Sequence, residues 1–137
     1  MPETASNTFR KCERMVSQKL IDTLFRGGHS RSAVVYPVRA VYMQTERGEG
    51  DAAVQVLTSV SKRHFKRAVK RNRVKRQLRE AYRQNKHALT EFVGQREGEA
   101  LALAFIWQAD RLYSSVRVTA CVKTLLDRVA KDVSKSL

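Results

Sequence analysis

The chain has 137 residues, and its 27 Lys and Arg outweigh 13 Asp and Glu to give a formal charge of +14. With 42% hydrophobic residues it has the composition of one folded domain rather than of a disordered basic tail. Charge on this scale points to a polyanion, nucleic acid ahead of an anionic membrane; the longest apolar run, Ala100 to Trp107, is far shorter than the roughly 20 residues of a spanning helix.

Residues 1–16 read as a polar N-terminal segment, loose at its start, and residues 17–137 as a single domain. The opening "MPETASNTFRK" has no apolar stretch after its charges, so it does not read as a secretory signal. Ser17 has the character of an N-cap for "QKLIDTLFR", where Leu20, Ile21, Leu24 and Phe25 form one apolar helix face. Gly27 and Gly28 end that helix, because glycine takes the left-handed position beyond a C-cap without steric cost. "SAVVYPVRAVYMQT" is β-branched and aromatic, but Pro37 cannot donate to a ladder. Two strands are therefore expected, near 32–36 and 38–45. "ERGEGD" (46–51) reads as a hairpin turn. "AVQVLTSVS" alternates Val54, Val56, Thr58 and Val60 with Gln55, Leu57, Ser59 and Ser61, the pattern of a half-buried strand.

A basic segment comes next and ends near Asn85 to Leu89, after which "EFVGQREGE" reads as a loop. "ALALAFIW" fits a central strand covered on both faces, and "QADRLYSS" a second loop. Val116, Ala120, Val122, Leu125, Leu126, Val129 and Val133 predict a C-terminal amphipathic helix, capped by Ser114 or Ser115. Helix, two or three strands, helix, strand, helix is an α+β order, with helices packed on a small sheet. Cys12 and Cys121 stand apart without CxxC spacing, which argues against zinc and suits a reducing cytoplasm. His29, His64 and His87 lie far apart in polar contexts and are expected to be solvated.

Half of the 22 residues from Lys62 to Arg83 are Lys or Arg, and the only acid is Glu80. Wound as a helix, Val74, Leu78, Ala81 and Tyr82 fall within a stripe of about 100°, a core-facing seam. Asn72, Lys75, Arg76, Arg79 and Arg83 fall opposite, with Glu80 and Gln84 to the side. A charge run is ordinarily a solvated face. Soluble helices interleave signs, however, whereas Lys75–Arg79, Arg76–Arg79 and Arg79–Arg83 are like pairs at helical spacing. Phosphates of a partner would neutralise that repulsion. Phe65, Ala68 and Val69 are out of phase with the seam, so the regular helix is expected to start near Lys70, with Arg71, Asn72 and Arg73 at or near its N-terminus. There the helix dipole and free N–H groups also favour phosphate. Asn72 could serve as a cap, as a contact, or as both.

At these residues the chain resembles the bacterial ribonuclease P protein component, whose segment "RNR.KR..RE" is matched within "SKRHFKRAVKRNRVKRQLREAYR" (61–83). The likeness extends more weakly from about Ser17 to Lys135. It implies an α-β-β-β-α-β-α fold with a left-handed βαβ crossover. It also implies the protein subunit of an RNA-based endoribonuclease that removes the 5′ leader from precursor tRNA. The RNA subunit, with magnesium, would perform the hydrolysis; the protein itself would carry no catalytic residue, metal or cofactor. Arg71, Asn72, Arg73, Lys75, Arg76 and Arg79 would contact the RNA subunit, with Lys62, Arg63, Lys70 and Arg83 of the same segment. Phe25 and Tyr42 would line a cleft for the leader, with Ile21 where a second aromatic is expected and Leu57 where a glycine is common. Stacking on such aromatics is worth about 1–3 kcal/mol per base, though Phe and Tyr are as often core. A ribosomal or other basic nucleic-acid-binding structural protein is the alternative, since charge alone does not separate RNA from DNA. A stand-alone nuclease would need clustered carboxylates or histidines, and the acids here are scattered.

Overall fold

A computed structural model describes residues 11–135. Its elements are a 3-10 turn at Lys11–Glu13, then α1 (Gln18–Arg26), β1 (Arg31–Val35), β2 (Val38–Glu46), β3 (Val54–Ser59), α2 (Ala68–Asn85), α3 (His87–Gly94), β4 (Glu99–Trp107) and α4 (Ser115–Lys135). The α+β expectation holds. The four strands lie in the order β1-β2-β4-β3, with β4 antiparallel to β2 and parallel to β3.

Strand β4 explains the two layers. Leu101, Leu103, Phe105 and Trp107 join the large core with α2, α3 and α4, while Ala102 and Ala104 of the same strand pack on the opposite face with Met15, Leu24 and Met43. Alternating Leu and Ala thus makes one face thick and lets α1 lie close on the other, as period-two side-chain placement requires. Ser17 caps α1 through its hydroxyl, which accepts from the Leu20 N–H at 3.3 Å. Ser114 does the same for α4 and the Arg117 N–H at 3.2 Å.

Several expectations need correction. Residues 46–51 are not a hairpin turn, because β4 inserts between β2 and β3. "EFVG" is helical, not loop: Leu89 and Val93 are buried one turn apart in α3, and the Arg47 guanidinium donates to Val93 O in its last turn at 2.9 Å and to Glu99 O at the start of β4 at 2.8 Å. The buried stripe of α4 runs through Val118, Cys121, Val122, Leu125, Leu126, Val129 and Val133, whereas Val116 is 82% exposed. His64 is half-buried and paired with Asp110 at 2.5 Å rather than solvated.

The segment ahead of α1 is anchored where it is described. Met15 is 3% exposed and its N–H donates to Val56 O at 2.9 Å, so the chain runs along the outer edge of β3. The buried Glu13 carboxylate accepts from Lys86 Nζ at 2.7 Å.

Candidate nucleic-acid interface

Helix α2 divides as its phase requires. Val74, Leu78, Ala81 and Tyr82 are all fully buried, so its orientation on the core is fixed by four points of contact. Lys70, Asn72, Arg73 and Arg76 are exposed, and Lys75, Arg79 and Arg83 half-buried. Arg79 is held below its ordinary pKa, by burial first and then by repulsion from Arg14 and Arg76. A cation in that position gains from any anion that approaches.

The helix starts earlier than expected, at Ala68, with Arg67 as an N-cap whose side chain caps nothing. Arg71, Asn72 and Arg73 therefore lie a turn inside the helix, and Asn72 is not the cap. Arg71 donates to Phe65 O at 2.8 Å and Lys66 O at 2.7 Å, which pins the preceding turn and lets Phe65 reach the core. Lys62 and Arg63 are exposed in that turn. The face is also not wholly free of acid, because Glu80 reaches across one turn to Arg83. That pairing leaves Arg73, Lys75, Arg76 and Arg79 as its cationic centre.

The expected leader cleft is only partly assembled. Phe25 is 43% exposed and Ile21 half-buried, on the helix over the thinner face. Tyr42 is 6% exposed and belongs to the opposite, larger core. Its hydroxyl donates to Asp132 Oδ2 at 2.6 Å, and Arg31 bonds the same carboxylate at 3.0 Å. Burial first, then the bond to Asp132, pushes the Tyr42 phenol up to about 12. Tyr42 and Phe25 do not share a cleft. The residues of β2 that do face α1 are its odd-numbered ones: Val41 and Met43 pack there, and Arg39 reaches Ser32 Oγ at 3.4 Å. Around them Val34 is 40% exposed and Ile106 half-buried, so α1 leaves part of this face of the sheet open. Strand alternation around Val41 was the available signal for which β2 side chains face α1.

Among the described residues, no three or more His, Cys, Asp or Glu side chains come together in a way that could hold a metal. No helix there is long and apolar enough to cross a membrane.

A mixed four-stranded sheet, an exposed cationic helix face and a half-open second face define a small basic α+β domain. The ribonuclease P family model matches residues 9–129. The chain is 39% identical to the ribonuclease P protein component of Porphyromonas gingivalis over 136 residues, covering 99% of this chain and 96% of the relative. It is 30% identical to that of Chlorobaculum tepidum over 132 residues, covering 92% and 85%. This chain belongs to the ribonuclease P protein family. The RNase P protein from Thermotoga maritima shares its fold at 19% identity, with a TM-score of 0.61 over 85% of this chain and 96% of that one. The Staphylococcus aureus RNase P protein does so at 16% identity, with a TM-score of 0.59 over 85% and 94%.

Proposed function

We propose that the chain is the cytoplasmic protein subunit of ribonuclease P, binding the catalytic RNA subunit through α2 and the 5′ leader of precursor tRNA beside α1. The observation behind this reading is the one-sided α2: four side chains lock one face to the core, and the opposite face offers Arg73, Lys75, Arg76 and Arg79 in a fixed array. Fixed cations spaced one helical turn apart suit successive backbone phosphates, and arginine's planar fork adds bidentate geometry. The leader, as single-stranded RNA, would rest on Phe25 and the open strip of sheet by stacking and contact with the backbone.

On this reading the protein contributes binding and orientation to a tRNA-processing endoribonuclease, and the hydrolysis belongs to the RNA subunit. On the same reading, magnesium belongs with the RNA subunit. The protein's cations offset repulsion between the RNA subunit and its RNA substrate, which lowers the magnesium needed to bring them together.

The test is reconstitution. Purified protein should restore precursor-tRNA cleavage, at low magnesium, to a ribonuclease P RNA that works poorly alone. Tight RNA binding with no more stimulation than an unrelated basic protein gives would overturn the reading and favour a ribosomal or other structural nucleic-acid-binding role. Turnover by the protein after rigorous removal of RNA would overturn the assignment of the chemistry.

A further inference from the structure

Between the N-terminal segment, the outer edge of β3 and α2 lies a concavity of about 190 Å³, lined by Arg14, Val56, Leu57, Thr58, Lys75 and Arg79. Three cations from two distant stretches of chain converge there, and no acidic side chain lines the space. Lys75 and Arg79 sit one turn apart on α2 and make no ion pair among the described residues.

The fold fixes the backbone of Arg14 beside these two cations. Its neighbour Glu13 is buried against Lys86, and its other neighbour Met15 is buried and bonded to Val56 O. Arg14 itself bridges to Val56. A buried ion pair, a buried side chain and an edge-strand bridge thus hold a third cation beside two that already repel. The lowered affinity of Arg79 for its own proton, caused in part by Arg14, registers the same crowding. Like charges gathered by tertiary structure around one small space make a site for an anion.

We infer that this concavity is a phosphate site, in which Arg14, Lys75 and Arg79 together hold one phosphate group. That the phosphate belongs to the backbone of the RNA subunit rests on the function proposed above. The site ties the segment before α1 to the RNA surface of α2, so the interface extends past the basic helix onto the edge of the sheet. Arg14 carries no helical or motif signal, and only the pairing with β3 brings it to α2.

The test uses Arg14→Gln in the full chain, with Arg14→Lys to keep the charge and Lys123→Gln, exposed on α4, to match the change in net charge. Inorganic phosphate titrated into wild-type protein should give saturable NMR shifts at Arg14, Lys75 and Arg79. Arg14→Gln should lose them with an unchanged melting temperature, and Arg14→Lys and Lys123→Gln should keep them. Binding of ribonuclease P RNA by Arg14→Gln should weaken several-fold, and the slope of log K against log salt should fall by about one unit. Phosphate shifts that avoid these three residues overturn the site. Shifts at the site with an unchanged RNA slope in Arg14→Gln overturn its assignment to an RNA phosphate. Failure of wild-type protein to bind the RNA, with phosphate shifts intact, overturns the proposed ribonuclease P function and leaves the site standing.

Discussion

The two faces of the sheet share the same strands but meet different loads. On one, Leu101, Leu103, Phe105 and Trp107 meet α2 and α4, of 18 and 21 residues, and the core closes. On the other, Ala102 and Ala104 meet α1, of nine residues, and the cover is incomplete. Tyr42 and Phe25 carry the consequence. Both are aromatic, and both looked equally fit to stack on RNA. One is 6% exposed and the other 43%: the register of β2 turns Tyr42 into the large core, whereas Phe25 lies on α1, over the thinner face. Burial of a β2 side chain is set by parity before it is set by residue type.

The sharpest way to break the comparison is to truncate the closed face. Tyr42→Ala removes a ring packed in the large core and is expected to cost about 3–5 kcal/mol, the usual range for buried aromatic truncations. Chemical denaturation measures this directly. Affinity for precursor tRNA, mature tRNA and the RNA subunit should then fall together, in step with the unfolded fraction. A stable Tyr42→Ala protein that loses only precursor tRNA would return Tyr42 to the cleft.

Phe25→Ala tests the open face and should behave oppositely. Surface truncation should shift stability within about 0.5 kcal/mol. Loss of one stacked base should weaken holoenzyme affinity for precursor tRNA by about 1–3 kcal/mol, and mature tRNA, lacking a leader, should bind as before. Equal losses for both tRNAs would mean that Phe25 contacts something other than the leader.

These contrasts also mark what could be read from the residues. The seam of α2 was legible because Val74, Leu78, Ala81 and Tyr82 repeat at helical spacing. The strands were legible from β-branched runs and from Pro37. The pairing order was not, since nothing local in "ERGEGD" says that β4 will enter between β2 and β3. Long-range ties were equally hidden: Arg31 and Tyr42 meeting Asp132, Glu13 meeting Lys86, and Arg14 reaching α2 all join residues far apart in the chain. The side of the sheet on which Tyr42 lies was equally hidden, since it depends on the register of β2 against its neighbours.

The smallest effect concerns the bond that binds Tyr42 to the closed face. Its hydroxyl donates to Asp132, whose carboxyl is held below the usual range by that bond first and by Arg31 second. Tyr42→Phe keeps the ring and removes the donor, so at neutral pH it should cost about 1 kcal/mol, the net worth of a hydrogen bond to a partly solvated partner. The sign of its pH dependence comes from the depressed carboxyl. A group that is more acidic folded than unfolded stabilises in full above its unfolded value, about 3.9 for Asp, and loses that contribution as pH falls through the folded value. The phenol stays neutral throughout, since its own pKa has been pushed up to about 12. The stability gap between wild type and Tyr42→Phe should therefore be constant from about pH 5 to 8 and shrink below about pH 4. Asp132→Asn should remove this acid dependence, and in that background Tyr42→Phe should cost less. A gap as wide at about pH 2 as at about pH 7 would mean that the hydroxyl is held by something other than the ionised carboxylate, and that packing alone keeps Tyr42 on the closed face.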